Sequence, residues 1–370
     1  MFKTIRGPQG GEINLDGRDV VNMASNNYLG FANDPALVKA AKDAIDEYGV
    51  SAGAARHIIG NFLVHNELEK KLAEFKEVED TCVFSSGLTA NTGAIPMIVE
   101  KGDEVFSDEL NHASIIDGIR LSRAAVRVYR HKDMNDLERL LKEPAEGGRL
   151  IVTDAVFSMD GDLAPVPEIV ALGKKYNAKV MIDDAHGDGV MGRSGRGTVD
   201  YFGVRDGVYV ETGSLSKAFG SSGGFVAGPK ELIDKIRVQS RSFIFTATPM
   251  QPAFAAAALK AIEMLMEDDA PVRKLWDNRE YFMAKMSTLG YDLGHTETPV
   301  IPVMVGDEPL AREMSEMLYN EGIFAQAIVY PTVAKGKARL RVMISAAHTK
   351  EDLDKAVAAF EKVGRKAGAI

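Results

Sequence analysis

The middle of the chain alternates short apolar runs with longer segments in which apolar residues recur every three or four positions. Each short run suits a buried strand, and each periodic segment suits a helix with one apolar face. Residues 67–184 repeat this order several times, beginning with ELEKKLAEF, TCVFSS, LTANTGAIPMIV and EVFSDE. Strands separated by helices at this spacing predict an α/β domain with a mostly parallel sheet between two layers of helices.

The pattern changes after about residue 255. A long helical segment, PAFAAAALKAIEMLMED, leads into strand-like TPVIPVMVG, IFAQAIVY and ARLRVMIS and the helical segments LAREMSEMLYNEG and EDLDKAVAAFEKVGRKAG. This order is typical of a smaller α+β domain. We therefore predict an N-terminal segment over residues 1–45, a large α/β domain over residues 46–255 and a small C-terminal α+β domain over residues 256–370.

The composition excludes some classes of function but does not identify one. With 370 residues, of which 45% are hydrophobic and 26% charged, the chain has the composition of a globular protein with a large core. Its 44 basic and 53 acidic residues give a formal net charge of −9, which does not favour nucleic-acid binding. Cys82 is the only cysteine, which excludes a disulfide within the chain and a cysteine-based metal cage.

The N-terminal residues, MFKTIRGPQGGEINLDG, lack the apolar core of a secretion signal. No apolar run approaches the length of a membrane-spanning helix. We therefore expect a cytoplasmic protein in a reducing compartment.

Two acids and a histidine follow an apolar strand in KVMIDDAHGDG. The strand ends directly in Asp183 and Asp184, and His186 comes two residues later. Ligands of parallel sheets bind at the carboxyl ends of strands, so these side chains are candidates for chemistry. The motif alone leaves open an alternative in which Asp184 caps a turn and His186 is an ordinary loop residue.

A lysine follows a second strand in VYVETGSLSKAFGSSGG. Lys217 is flanked by Leu215, Ala218 and Phe219, in a segment too apolar for an exposed face. Burial lowers the pKa of a lysine and makes its amine nucleophilic, as imine formation requires. A solvated surface charge is the alternative for an isolated lysine. A P-loop is excluded in GGFVAGPK, because Pro229 stands where such a loop needs lysine.

Two further segments place polar groups at strand ends. In VFSSGLTANTGA, a strand reaches Gly87 and a helix begins near Leu88, so free amides there could bind an anion. In SDELNHASIIDG, His112 could stack on a flat ring or cap the following helix. A plain strand–turn–helix joint remains the alternative for the first segment.

These pieces together fit pyridoxal 5′-phosphate (PLP). This cofactor needs an amine that forms an imine, an acid beside its ring nitrogen, a phosphate cradle and a flat group over its ring. A carboxylate beside the nitrogen keeps it protonated, so the ring can accept electrons from a carbanion. We therefore predict that Lys217 holds PLP and that Asp183 pairs with the ring nitrogen.

The sequence also resembles the α-oxoamine synthases of PLP fold type I, nearly from end to end. The segments that carry the resemblance are SNNYLGFAN, DELNHASIIDGIRLS, VFSMDGDLAP, IDDAHGDGVMG, SGRGTVDYF, TGSLSKAFG and RVMISAAHT. The resemblance implies a seven-stranded, mostly parallel sheet and a homodimer with shared active sites.

The resemblance also implies roles for individual residues. Four residues would be catalytic: Lys217, His112, Asp183 and His186, with Lys217 moving the α-proton of the substrate. His186 would contact the phenolic oxygen of the cofactor, and His112 would stack over its ring. The other residues implied to bind the cofactor are Ser158 near the phenolic oxygen, Gly87, Leu88 and Ser214 around the phosphate, and Thr246, which reaches the phosphate from the neighbouring subunit.

Asn26 and Arg341 match family positions that bind the carboxylate of the amino acid. The planar fork of an arginine suits a carboxylate. Without the resemblance, a surface charge on the strand ARLRVMIS is the preferred interpretation of Arg341. No metal is implied.

Within the family, the segments are most similar to glycine C-acetyltransferases. This similarity implies condensation of glycine with acetyl-CoA to give 2-amino-3-ketobutyrate and CoA, and the reverse cleavage. An alternative is condensation of alanine with a longer dicarboxylic acyl-CoA, as in 8-amino-7-oxononanoate synthases. The choice is open because Asn61 replaces the threonine that relatives carry in GNFLVHNELE, near the acyl-donor side.

Two other classes of protein are disfavoured. A non-catalytic relative would be expected to lack the lysine, and Lys217 is present. A metal hydrolase built on Asp183, Asp184 and His186 would need a second histidine at ligand spacing, and none follows nearby.

Overall fold

The computed structural model describes residues 3–246 and 249–370. The chain forms two compact units. The small unit contains residues 3–34, Ser158–Leu163 and Asp269–Ile370, and the large unit contains Pro35–Phe157 and Ala164–Asp268.

The N-terminal residues form three strands of the small unit: β1 (Ile5–Arg6), β2 (Glu12–Leu15) and β3 (Arg18–Asn22).

The large unit then alternates helices and strands as the hydrophobic pattern predicts. Its helices are α1 (Pro35–Tyr48), α2 (Leu63–Lys76), α3 (Gly87–Ile98), α4 (Ala113–Ser122), α5 (Met134–Leu141), α6 (Val166–Tyr176), α7 (Thr198–Phe202), α8 (Lys230–Gln239), α9 (Arg241–Ile244) and α10 (Pro252–Glu267). Its strands are β4 (Asp80–Phe84), β5 (Glu104–Asp108), β6 (Ala125–Tyr129), β7 (Arg149–Asp154), β8 (Lys179–Asp183), β9 (Val210–Ser214) and β10 (Gly224–Gly228).

The seven strands of the large unit form one sheet in the order β4-β10-β9-β8-β7-β5-β6. Strands β9, β8, β7, β5 and β6 are parallel, whereas β10 runs antiparallel to both of its neighbours. The predicted α/β class with a mostly parallel seven-stranded sheet is therefore confirmed. Strand β10 was not predicted, because its short sequence, GFVAG, lies in a glycine-rich segment.

Alternating side chains of the central strands pack into two separate cores. On one face of β8, Met181 packs in a cluster with Ala94 and Ile95 of α3. On the opposite face, Val180 and Ile182 pack in a cluster that includes α6. Because a strand buried on both faces needs apolar residues at every position, β8 appears in the sequence as a continuous apolar run.

The small unit continues with three helices and four strands: α11 (Ala270–Thr288), β11 (Val300–Gly306), α12 (Glu308–Asn320), β12 (Ile323–Phe324), β13 (Gln326–Ile328), β14 (Ala338–Met343) and α13 (Lys350–Ala367). Strand β12 pairs in parallel with β3, which joins the N-terminal strands to the C-terminal part of the chain in the order β1-β2-β3-β12. The remaining strands form an antiparallel sheet in the order β11-β14-β13.

The limits of the two units differ from the predicted boundaries at residues 45 and 255. Helix α1 packs on α10, and both helices belong to the large unit, which therefore begins at Pro35 and extends to Asp268. Residues 3–34 join the small unit through the pairing of β3 with β12. These contacts are between residues far apart in sequence, so local hydrophobic patterns do not predict them.

A buried ion cluster lies around Lys76 at the end of α2. Its ammonium contacts Asp188 Oδ1 at 2.6 Å and Glu211 Oε2 at 2.9 Å, and all three side chains are at most 1% exposed. The carboxylate of Asp184 lies 3.7 Å away and accepts a 2.7 Å hydrogen bond from the Thr198 amide. The cluster therefore anchors the turn that follows β8. Burial raises the pKa of Asp188 to about 7, although Lys76 opposes this shift.

No helix within the two described ranges of the chain has the length and apolar character needed to cross a membrane.

Replacing Lys76 with methionine tests how much the cluster stabilises the large unit. We expect Lys76→Met to lower the free energy of unfolding by about 3–5 kcal/mol, because it leaves buried carboxylates without their cation. Urea denaturation of the two proteins measures the difference. Lys39→Met is the matched control, since the Lys39–Asp43 pair on α1 is exposed. The free energy of unfolding of this variant should be nearly unchanged. Equal stability of Lys76→Met and the unmodified protein would contradict the prediction.

Candidate active site

Asp183, at the carboxyl end of β8, is held by two donors. Its side chain is 5% exposed. Its Oδ2 accepts a 2.6 Å hydrogen bond from the Asn91 side chain, and its Oδ1 accepts one of 3.0 Å from the Ala185 amide. Asp184, the next residue, instead joins the Lys76 cluster. The two neighbouring acids thus belong to different environments, and Asp183 alone is available at this strand end.

A second acid, Asp154, ends the adjacent strand. It is the register partner of Asp183, and its Oδ2 accepts a 2.6 Å hydrogen bond from the His112 amide. Burial, reinforced by the charge of Asp183, raises the pKa of Asp154 well above its ordinary value. The nearby charge of Lys217 opposes this shift but does not cancel it. These effects favour the neutral form of the Asp154 carboxyl group.

Lys217 lies in the turn that follows β9. Thr212 of β9 is the register partner of Asp183, and Lys217 is five residues further along the chain. The lysine is half-buried, and the flanking Leu215 and Phe219 are fully buried. Asp154 interacts electrostatically with both Lys217 and Asp183. The predicted amine and the predicted acid are therefore in the same part of the large unit.

A cradle for an anion forms where α3 begins. Ser86 caps the helix by accepting a 3.1 Å hydrogen bond from the Thr89 amide. Within the described ranges, the amides of Gly87 and Leu88 donate to no protein acceptor. Such unpaired amides at a helix start attract a phosphate group.

Two other strands shape this cradle. Ser214, the last residue of β9, lies beside Gly87. A Cβ atom added to Gly87 would be 3.8 Å from Ser214 Oγ. Gly224 of β10 lies so close that its own Cβ atom would be 2.5 Å from the Gly87 nitrogen. A side chain at position 224 would therefore displace the helix start.

His112 caps the start of α4, next to the carboxyl end of β5. Its side chain is exposed, and its Nδ1 lies 2.8 Å from Ser114 Oγ. The preceding Asn111 accepts a 2.8 Å hydrogen bond from the Asp154 amide and donates one of 2.9 Å to the Val152 carbonyl. These bonds fix the loop that carries His112 against β7. Capping the helix therefore does not exclude a second role for the exposed ring.

For the other two predicted cofactor-binding residues in the large unit, the structure gives the position along the chain and the degree of burial. His186 is half-buried in the turn just after Asp183. Thr246 is half-buried two residues beyond α9, next to residues 247–248, which lie outside the described residues. Their contacts with the cofactor stay predictions.

Three predicted residues come together within the small unit. Arg341 of β14 donates hydrogen bonds of 2.6 Å to the Ser158 carbonyl and 3.2 Å to Asn26 Oδ1. Burial lowers the pKa of Arg341. Within the described ranges, no carboxylate forms an ion pair with this guanidinium. A half-buried cation that contacts only uncharged oxygens suits a carboxylate ligand.

Comparison with known proteins identifies the family. The profile of the aminotransferase class I and II family matches residues 18–360. The chain belongs to this family. The predictions of a PLP-dependent enzyme and of PLP fold type I are confirmed, and within the family the chain is of the α-oxoamine synthase type.

Individual members of the aminotransferase class I and II family match over nearly their whole length. The 8-amino-7-oxononanoate synthase of Thermosipho melanesiensis is 56% identical over 370 residues, which cover 100% of this chain and 94% of that protein. The enzyme of the same name from Thermoanaerobacter pseudethanolicus is 55% identical, with 99% and 93% covered. A structure of serine palmitoyltransferase from S. paucimobilis with bound PLP–myriocin aldimine superposes with a TM-score of 0.96 at 31% identity, covering 100% of this chain and 94% of that one.

The arrangement in this family member fits the chemistry of PLP. Unpaired amides at Gly87 and Leu88 suit its phosphate, the buried carboxylate of Asp183 suits its ring nitrogen, and the half-buried amine of Lys217 suits its aldehyde.

Two residues of this site were not found from the sequence. Asp154 is the last residue of β7 (RLIVTD), as Asp183 is the last residue of β8 (KVMID), so the strand-end rule that selected Asp183 applies equally to it. Asn91 has no comparable pattern, because an asparagine within a helix is usually an ordinary surface or core residue. Only the packing of α3 over the sheet brings it to Asp183.

Amide substitutions at the two acids distinguish their roles. We expect Asp183→Asn to weaken PLP binding roughly 10- to 100-fold, because a charge-assisted hydrogen bond is lost. Asp154→Asn should change PLP affinity by less than about threefold, because an asparagine oxygen can still accept the hydrogen bond from the His112 amide. Titration of each apoenzyme with PLP, followed by visible absorption, measures both affinities. Equal losses in the two variants would contradict this assignment.

Proposed function

We propose that this protein condenses alanine with a longer dicarboxylic acyl thioester and so forms 8-amino-7-oxononanoate. The observation that carries the proposal is 56% identity over the whole chain to an enzyme of that name. A new bond joins the alanine α-carbon to the acyl carbonyl carbon. The thioester C–S bond breaks and releases a thiol, and the α-carboxylate leaves as carbon dioxide. A proton then replaces that carboxylate on the α-carbon.

From the sequence, we expected glycine and acetyl-CoA as substrates instead. Its alternative, alanine with a dicarboxylic donor, has better support, because relatives at 50–56% identity carry the name 8-amino-7-oxononanoate synthase. Asn61, which departs from the family threonine, lies beside a buried ion pair. Its side chain accepts a 2.7 Å hydrogen bond from Arg56, which forms a buried ion pair with Glu69. A residue held in this way differs from the family threonine in both size and polarity.

Lys217 and Asp183 would do the central chemistry. Bound PLP would supply an electron sink for the negative charge that develops at the α-carbon. Lys217 would take the α-proton of alanine, a step that needs its amine in the neutral form. Asp183 would hold a proton on the ring nitrogen. His112 would cover the ring and polarise the thioester carbonyl, and His186 would contact the phenolic oxygen.

Arg341 and Asn26 would bind the carboxylate of alanine. The observed bond between their side chains orients the guanidinium fork before substrate binds. Preorganised groups of this kind reduce the entropy lost on binding.

We further propose a homodimer in which Thr246 reaches the phosphate bound by the partner. Several highly exposed apolar side chains support this assembly. Five of them are each 61–81% exposed: Val50, Ile58, Ile59, Leu63 and Phe245. Single exposed apolar residues are common, whereas several within residues 50–63 favour an interface.

A panel of acyl donors tests the proposed reaction. Purified protein with PLP is mixed with pimeloyl-CoA, acetyl-CoA or palmitoyl-CoA, and with alanine, glycine or serine, and thiol release is followed. We expect release to be fastest with alanine and pimeloyl-CoA, because that pair supplies the carbon skeleton of the product. Lys217→Ala is the control and should release no thiol. Preference for glycine with acetyl-CoA, or for serine with palmitoyl-CoA, would overturn the proposal.

Substitution of Arg341 tests the amino-acid site. We expect Arg341→Gln to raise the KM for alanine roughly 10- to 100-fold, since charge-assisted hydrogen bonds to the carboxylate are lost. Arg341→Lys should restore only part of this loss, because an ammonium cannot form the planar fork. The exposed Arg312, also in the small unit, provides the control Arg312→Gln, which should leave KM unchanged. A KM for alanine in Arg341→Gln equal to that of the control would remove Arg341 from the substrate site.

A further inference from the structure

The side chain of Asn91 makes three hydrogen bonds in the interior of the large unit. It is 1% exposed. Its amide nitrogen donates to Asp183 Oδ2 at 2.6 Å and to Ser114 Oγ at 2.9 Å. Its oxygen accepts from Thr212 Oγ1 at 2.8 Å. Both of its N–H donors and its acceptor are therefore used.

The orientation of this amide is determined by its partners. If the amide were turned over, its oxygen would face the Asp183 carboxylate at 2.6 Å, and two acceptors would repel each other. The hydroxyl of Thr212 can donate to the Asn91 oxygen in the observed orientation. Asn91 thus presents an N–H group to Asp183 in a fixed direction.

The same amide is linked through Ser114 to His112. The Ser114 backbone amide donates to His112 Nδ1 at 3.2 Å, so this nitrogen is an acceptor and the neutral imidazole has its proton on Nε2. Ser114 Oγ lies 2.8 Å from the same nitrogen and donates its proton to it. The same oxygen accepts the hydrogen bond from Asn91.

Helix α3 carries both the anion cradle and Asn91. Its first residues, Gly87 and Leu88, form the anion cradle, and Asn91 follows one turn later. The position of Asp183 relative to the cradle is therefore set by a rigid helix rather than by a loop. Rigid elements hold functional groups more accurately than loops do.

We propose that Asn91 is a positioning residue: it aligns Asp183 with the ring nitrogen of PLP and, through Ser114, keeps His112 as an Nε2–H donor. The proposal deepens the proposed function and rests on its placement of PLP at Asp183 and Lys217. It does not depend on which acyl donor the enzyme uses. Asn91 touches neither substrate nor cofactor in this proposal and acts only through its two neighbours.

Two substitutions at position 91 test the first part. Asn91→Leu keeps approximate size and removes every hydrogen bond, and Asn91→Ala leaves room for water if the larger side chain prevents folding. We expect either variant to weaken PLP binding to the apoenzyme roughly tenfold or more, and to shift the pH midpoint of the visible band of bound PLP. The control is Thr92→Val in the same helix, whose hydroxyl bonds to the Leu88 carbonyl, and it should change neither quantity.

Ser114→Ala tests the second part. It removes the hydroxyl that links Asn91 to His112 Nδ1 but leaves the bond from Asn91 to Asp183 in place. PLP affinity should therefore remain within about threefold of the unmodified protein, while kcat falls and the KM for alanine is nearly unchanged. A purely structural role for Asn91 would lower the unfolding temperature of the apoenzyme but leave PLP affinity and the pH midpoint unchanged in the folded variants. That result, or wild-type kcat in Ser114→Ala, would overturn the proposal.

The donor panel and this test fail independently. If no acyl donor releases thiol but Asn91→Leu still weakens PLP binding, the proposed reaction is wrong and the role of Asn91 is supported. If pimeloyl-CoA reacts and Asn91→Leu binds PLP normally, the reaction is supported and the role of Asn91 is wrong.

Discussion

The parallel register of β7, β8 and β9 is the constraint on which the candidate active site depends. It pairs Asp154 with Asp183 and Asp183 with Thr212, so that three strands end at the same edge of the sheet. The chain then places Lys217 in the turn beyond β9. A shift of register by one residue would reverse the face of every side chain and separate the acid from the amine.

Three aspartates near this edge are accommodated in three different ways. Asp183 accepts hydrogen bonds from Asn91 and Ala185, Asp154 is favoured in its neutral form, and Asp184 belongs to the cluster around Lys76. A carboxylate left without such support would be costly to bury. Three aspartates that are similar in sequence therefore have distinct roles, and only Asp183 is suited to pair with a pyridinium.

Much of the fold and part of the site could be predicted because they depend on local sequence. Continuous apolar runs mark the buried strands, and strand-end positions marked Asp183, Gly87 and His112. Asp154 was missed although it obeys the same rule, and β10 was missed because only three apolar residues stand between its terminal glycines. The limits of the two units followed from contacts between α1 and α10, which no local pattern records.

The sequence by itself determined the α/β class, the mostly parallel sheet and the lysine and acid that suit PLP, because periodicity and strand-end chemistry are properties of adjacent residues. Only the tertiary structure decided which acids face which partners, that Asn91 joins Asp183 to Ser114, and that residues 3–34 fold with the C-terminal part of the chain. These features arise from contacts between segments distant in sequence. Their partners become defined only when helices pack on the sheet and strands pair.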